Sequence, residues 1–262
     1  MSILVPEMSP TTIEIHPLVN FGEVLPGDDL AALVVAALGA ASLSPRIQDV
    51  LVITQKIVSK AEDRFVDLAT VTPGAEAQRL ADITQKDARF VELVLAESIA
   101  TVRAVPNILI TRHRSGHVMA NAGIDRSNLG PGRDDHVLLL PKDADGSAAK
   151  LRVALARRFE EAPAVLISDS FGRPWRLGVT NVALGASGMP ALIDQRGQLD
   201  RNGRALAVTQ LAFGDMLATA AGLATGEADE GVPAALVRGL SWTAPNVPAS
   251  ALIRPLEEDL FR

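Results

Sequence analysis

The chain has 262 residues, 48% of them apolar and 3% aromatic, with a formal net charge of −6. That length and apolar fraction suit one large domain or two interleaved lobes and exclude a disordered chain, while an acidic balance without a basic stripe argues against nucleic acid as a partner. No cysteine is present, which excludes disulfides, thiolate zinc sites, iron–sulfur clusters and a cysteine nucleophile.

Glu7 and Glu14 stand where a signal peptide would carry a basic region before an apolar run, so none is expected. Residues 12–18 alternate loosely and read as a strand. Gly27-Asp28-Asp29 places acids at the positive end of a helix dipole and predicts a buried, Ala-rich helix over residues 28–43. Its apolar stretch falls short of the ~20 residues that span a bilayer; a cytoplasmic protein with no membrane partner is expected. Residues 49–54 read as a buried strand running into 55–62. Residues 73–98 hold two amphipathic helical patterns broken near Lys86-Asp87. Strands are expected at 107–111, 117–121 and 136–140, then a helix over 143–160 on the spacing of Leu151, Leu155 and Phe159. A strand at 164–167, a run at 179–186, a helix over 206–221 and a last buried strand at 234–237 complete the chain. Strands and helices mix without strict alternation, which predicts an α+β fold rather than a doubly wound sheet. Neither a repeat nor a Gly/Ser linker divides the chain, so residues 1–262 read as a single module.

Two polar islands interrupt this pattern. One is Asn121-Ala122-Gly123-Ile124-Asp125-Arg126-Ser127-Asn128; the other, Ser168-Asp169-Ser170-Phe171-Gly172-Arg173-Pro174-Trp175-Arg176, follows the apolar run Ala164–Ile167. A buried strand has no packing reason to exit into Asp-Ser, Gly and two arginines. Asp125, Asp169 and Glu227 lie in turn-rich segments beside Gly123, Gly172 and Gly226. Hard cations such as Mg²⁺ take carboxylates together with substrate phosphates, and Ser170 offers a hydroxyl ligand. Read singly, each acid serves equally well as a helix cap or the closure of an Asx-turn. Arg173 and Arg176 offer bidentate forks for an anion or form surface ion pairs; Trp175 is a stacking platform or ordinary core. Asp194, Arg196, Asp200 and Arg204 form a mixed-charge run that reads equally as a solvated loop. The acidic, glycine-rich stretch 225–233 precedes a strand, where free N–H groups suit phosphate and the acids suit a metal. No Walker sequence and no G-x-G-x-x-G is present. The histidines, His16, His113, His117 and His136, show neither metal-ligand spacing nor a Ser or Asp partner, so a hydrolase triad is not expected.

Thr54 through Glu62, Asn121 through Asn128, Leu139-Leu140-Pro141, Ile167 through Arg176, and Gly226-Glu227 through Gly239-Leu240 together resemble the coenzyme F420-0:γ-glutamyl ligase family. The match is to its single-domain form, without the fused nitroreductase-like domain of some members. The resemblance implies a GTP-dependent ligase that adds L-glutamate, through its amino group, to coenzyme F420-0. It implies an intertwined homodimer of a two-lobed α+β fold, using Mg²⁺ or Mn²⁺ with a monovalent cation, K⁺. Metal ligands then fall on Asp125, Asp169, Ser170 and Glu227. Nucleotide contacts fall on Lys60 and Asn128 and, within the matching segments, on Gln55, Lys56, Gly226, Glu227, Asp229 and Gly231. Asp125, Asp169 and Lys60 carry catalysis, and Ser127, Arg173 and Arg176 hold substrate. Phe21-Gly22-Glu23-Val24 departs from the Leu-Pro-x-Ile-like stretch of the family's nucleotide pocket. Two rivals stay open at this point: a ligase of the same architecture acting on another carboxylate acceptor, and a nucleotide sensor without turnover.

Overall fold

The structure is a computed structural model that describes residues 12–259; Glu7 lies outside them. In chain order the elements are β1 (Glu14–Leu18), α1 (Leu30–Ala40), β2 (Val50–Thr54), α2 (Gln55–Ala61), β3 (Phe65–Asp67), α3 (Ala75–Thr84), α4 (Ala88–Ala96), β4 (Ser98–Val105), β5 (Ile108–His113), β6 (Val118–Ala120), β7 (His136–Leu138), α5 (Ala144–Ala156), β8 (Ala164–Arg173), β9 (Arg176–Ser187), β10 (Ile193–Asp194), β11 (Gln210–Leu211), α6 (Phe213–Thr225) and β12 (Ala234–Arg238). The fold is α+β. Among the described residues no helix is long and apolar enough to cross a membrane.

A mixed sheet in the order β1-β12-β2-β8-β9 forms the frame. β2 and β8 run parallel, and the other pairings are antiparallel. The sheet is covered on both faces, which explains the unbroken apolar runs of β2, β8 and β12. Side chains alternate between the faces with period two. Leu51, Ile53, Val165, Ile167 and Leu236 pack with Val34 and Leu38 of α1 and Leu151 and Leu155 of α5. Val50, Val52, Leu166, Ala235 and Val237 pack with Leu217, Ala218 and Ala221 of α6. A third core joins α3 and α4 to Leu109 of β5, Val137 of β7 and Ile124.

Local chemistry sets the helix ends. The Asp29 carboxylate caps α1 by accepting from the Ala32 amide, and Asp143 caps α5. Between α3 and α4, Gln85 adopts a left-handed conformation and Asp87 caps the next helix, which is the break expected near Lys86-Asp87. Helix 206–221 requires correction: it starts at Phe213 and runs to Thr225. Residues 195–209 are committed elsewhere, because Gln195 donates to Thr209 O and Leu206 to Gln198 O in a hairpin-like excursion. The strand expected at 164–167 is also longer than its apolar run. β8 loses β2 after the Thr54–Ser168 pair, shifts register between Ile167 and Ser168, and continues with β9 as a two-stranded arm to Arg173. Strand β4 was not expected; its apolar residues Ile99 and Val102 point to solvent and not into a core.

One buried ion pair ties the far ends of β2 and β12 together. Arg238 Nη2 lies 2.7 Å from Asp49 Oδ2 and also donates to Ser44 O at 2.7 Å. Both residues are buried. Asp49→Ala leaves the guanidinium uncompensated and is expected to destabilise the fold by about 3–5 kcal/mol, read from the shift of a urea unfolding midpoint. The double variant Asp49→Leu/Arg238→Met should recover most of that loss.

Candidate active site

Three segments meet where the sheet divides beyond Thr54 and Ser168. They are the start of α2, the turn through residues 121–128, and the loop 225–233 that enters β12. Together with β8, β9 and the loop at residues 20–23 they enclose a cleft of about 780 Å³. Its walls include Gln55, Lys56, Lys60, Asp125, Ser127, Asn128, Asp169, Ser170, Gly226, Glu227, Asp229 and Gly231. The two polar islands and the acidic loop, far apart in sequence, are brought to one place.

The 121–128 turn is shaped by its backbone. Asn121 and Ala122 are left-handed, and Gly123 has φ +69°, where a Cβ would lie 2.7 Å from Leu140 Cδ1. Asp125 is then fixed by reciprocal backbone hydrogen bonds with Leu138, each 2.9 Å. The Ser127 amide and hydroxyl each donate to Asp125 Oδ1 at 2.8 Å. Lys56 and Lys60, one helical turn apart on α2, face the cleft. Lys56 Nζ lies 2.6 Å from Asp125 Oδ2 and donates to Ser127 O at 2.9 Å. Burial alone would raise the Asp125 carboxyl, but the bonds and charge of Lys56 and the Ser127 donors hold it below its ordinary value. Gln55 is buried beneath them and accepts from Ser59 Oγ at 2.9 Å.

Opposite stand Asp169 and Glu227. Burial first, then the negative charges of Asp125 and Glu227, push the Asp169 carboxyl up to about 7, against a lowering by the Ser170 amide and Lys56. Glu227 Oε1 accepts from Asn181 Nδ2 of β9 at 2.7 Å, and Asn128 Nδ2 reaches Ala228 O at 3.3 Å, tying the 121–128 turn to the acidic loop. Gly226 has φ +70° and leaves room for the Glu230 carboxylate, which accepts from the Ala228 amide at 2.8 Å.

Arg173 and Arg176 are not brought into this cleft. They sit exposed at the tip of the β8–β9 arm, where Arg173 pairs with Arg176 across the turn. Trp175 between them is 80% exposed and is no part of the core. The charged run at 194–204 is an exposed excursion in which Arg196 pairs with Asp194. Sequence reasoning missed Glu23 and Asn181. Glu23 Oε1 lies 2.5 Å from the buried Lys60 Nζ, held between the core anchors Phe21 and Val24. Its place in the departing Phe21–Val24 stretch was the one signal available. Asn181 stood inside an apolar run with no signal.

The donor set fits a hard divalent cation. Asp125, Asp169, Glu227 and Ser170 offer oxygen alone, and burial, with the charges of Asp125 and Glu227 after it, holds the Asp169 carboxyl high. Among the described residues no three of His, Asp or Glu are gathered as a ready-made cage.

The chain matches the F420-0:Gamma-glutamyl ligase family over residues 19–239. It is 44% identical to the coenzyme F420:L-glutamate ligase of Methanopyrus kandleri, over 96% of this chain and 98% of that protein. It is 41% identical to the enzyme of the same name from Methanothermobacter thermautotrophicus, over 90% of this chain and 93% of that one. For the Halobacterium salinarum enzyme the identity is 42%, over 92% of each chain. The chain belongs to the F420-0:Gamma-glutamyl ligase family. It is an enzyme of the ligase class.

The Asp169 environment sets a test on the chelator-treated protein. Ionised Asp169 destabilises the folded state above pH 7, whereas below its ordinary value near 3.8 the group is neutral both folded and unfolded. Asp169→Asn should therefore raise the thermal midpoint at pH 8, with the gain shrinking as pH falls from 7 to 4. Equal midpoints at every pH would contradict the burial and charge that raise this carboxyl.

Proposed function

We propose that this chain joins L-glutamate to coenzyme F420-0 in an amide bond at the expense of GTP. Asp125, Asp169 and Glu227 beside Lys56 and Lys60 in one cleft carry this reading. A carboxylate is a poor electrophile. Its oxygen attacks the γ-phosphorus of GTP, the bond to the β-phosphate oxygen breaks, and an acyl phosphate and GDP result. The glutamate amine, having lost its proton, then attacks the acyl carbon, and phosphate leaves.

Lys60 is the cation for the triphosphate. Its ammonium is buried and already faces an acid, Glu23, that a phosphate oxygen can replace. Asn128 and the backbone of the loop at Gly226, Asp229 and Gly231 complete the nucleotide wall, with Gln55 and Lys56 at the start of α2. Lys56 also fixes Asp125 and the Ser127 hydroxyl toward the substrates. Mg²⁺ or Mn²⁺ held by Asp125, Asp169, Ser170 and Glu227, with K⁺ nearby, would neutralise charge on the transferring phosphoryl group. Positioning and electrostatics supply the rest, so no protein nucleophile is needed. Arg173 and Arg176 lie too far out to serve the cleft of their own chain. We assign them to substrate across the intertwined, two-lobed homodimer, in which the β8–β9 arm with exposed Trp175 and Leu177 is the reaching element.

Incubation with F420-0, glutamate and GTP should yield a glutamylated product, GDP and phosphate in equal amounts by mass spectrometry. Tight GTP binding without products would make the protein a sensor instead. Asp169→Asn should abolish turnover with circular dichroism unchanged; near-normal rates at low Mn²⁺ would remove Asp169 from the metal site.

Lys60→Ala removes one charge-assisted contact, worth roughly 1.5–3 kcal/mol, or about a tenfold to hundredfold loss in GTP affinity. Glu23 is half exposed and can turn to water, so the fold should survive. The dependence on glutamate should hold; a defect confined to glutamate would move Lys60 out of the nucleotide site.

A further inference from the structure

The turn between β5 and β6, residues 114–117, lies outside the cleft and none of its residues lines it. It brings together two histidines that the sequence left without partners. Ser115 Oγ is 2.7 Å from His113 Nδ1 and 2.8 Å from His117 Nδ1. The Ser115 amide also donates to His113 Nδ1 at 3.0 Å, which fixes that nitrogen as an acceptor and puts the ring proton on Nε2. The His117 ring hydrogen-bonds the Ala183 backbone. With that proton donated to the carbonyl, His117 Nδ1 is a lone pair as well. The amide serves His113 Nδ1 and the hydroxyl proton serves His117 Nδ1, so two imidazole lone pairs converge on Ser115.

We propose that His113 and His117 chelate one borderline divalent transition-metal ion, such as Zn²⁺, through their Nδ1 atoms, with Ser115 Oγ and water completing the coordination. Imidazole suits such ions, and modest ring rotation brings two nitrogens that already share one oxygen to the ~2.0–2.1 Å of a metal–nitrogen bond.

A metal-bound histidine commonly donates from its second ring nitrogen to a carboxylate or a backbone carbonyl, a pattern that His117 meets and that His113 approaches without a hydrogen bond. His113 Nε2 is buried without a hydrogen-bond partner and lies 3.7 Å from Glu97 Oε2, while His117 has Ala183. Arg64 and Arg114, at 3.2 and 3.3 Å, hold Glu97 in place. Asp145, the nearby acid whose charge acts on His117, is no ligand: its oxygens are taken by the amides of Ala186, Ala249 and Ser250. No third His or acid joins the pair among the described residues, so the remaining positions are oxygen.

The turn is rigid and reachable. Gly116 has φ +94°, and a Cβ there would lie 2.7 Å from Ile253 Cγ2. His117 packs edge-on against Phe171, with ring centroids 5.8 Å apart. Ser115 is exposed, and hollows of about 240 and 310 Å³ both open onto His117. An ion here would fasten the hairpin that leads through β6 into the 121–128 turn, and so brace Asp125 from outside the cleft.

The test uses the full chain without a histidine tag, in excess Mg²⁺ to satisfy the oxygen-lined cleft. Calorimetric titration with Zn²⁺ should show one site per chain that Mg²⁺ does not displace. His117→Gln should weaken it by roughly tenfold or more, and Asp125→Asn should leave it unchanged. X-ray absorption of the Zn²⁺-loaded wild type should show two imidazole ligands, a readout that needs no variant to fold. Absence of Zn²⁺ uptake over Mg²⁺, wild-type affinity in His117→Gln, or a spectrum with oxygen ligands alone would each overturn the proposal.

Discussion

The parallel pairing of β2 with β8 is the constraint on which the cleft depends. Two adjacent parallel strands end at the same edge of the sheet, so the chain leaves β2 into α2 and passes along β8 to Asp169 within one neighbourhood. β12 lies antiparallel on the other side of β2, and its beginning therefore falls at that same edge, where Thr54 donates to Pro233 O at 2.9 Å. The acidic loop has to arrive there. Had β12 run the other way, Glu227 would stand at the opposite end of the sheet. The cleft thus opens beyond the carboxyl ends of the parallel pair, the edge at which open α/β sheets generally bind their ligands.

The register shift between Ile167 and Ser168 completes the opening. While β8 is flanked by β2 and β9 its side chains are core. Once β2 has ended, one edge of β8 faces the cleft, and Asp169 and Ser170 become residues of a wall. A bulge at a sheet edge beside a functional site re-aims side chains. The change from Ala-Val-Leu-Ile to Ser-Asp-Ser straddles this change of surroundings: Ser168 is still paired with Thr54 and buried, and Asp169 is the first residue beyond β2.

That change was legible in the sequence because burial on both faces writes itself as an unbroken apolar run, and its sudden end marks where burial ends. The runs of β2, β8 and β12 and the Asp169 carboxylate at the exit of β8 were readable for this reason; Asp125 and Glu227 stood out by their glycine-bearing polar turns. Glu23 and Asn181 were not, since each gains its role from a partner 37 or 46 positions away, Lys60 or Glu227. Residues 206–212 misled because helical spacing is a local property, and the hairpin-like pairing with residues 195–198 outweighed it. Arg173 and Arg176 had suitable chemistry, but the length of the β8–β9 arm, invisible to composition, carries them away from the cleft.

The cleft is built against the stability of its own fold. Six carboxylates line it, Glu23, Asp125, Asp169, Glu227, Asp229 and Glu230, against two lysines, and the lysines are spoken for: Lys56 by Asp125, Lys60 by Glu23. Asp169 bears this most: burial raises its carboxyl first, and the charges of Asp125 and Glu227 add to that. Neutralising Asp169 would relax the fold at any pH where it is ionised. The strain is tolerated because the two covered faces of the sheet and the Asp49–Arg238 pair lie on the far side of β2, out of reach of the cleft's charge. The histidine turn divides the chemistry further. Oxygen donors and lysines fill the cleft and the two imidazoles of the turn stand apart from it, so the two places present different donor chemistry.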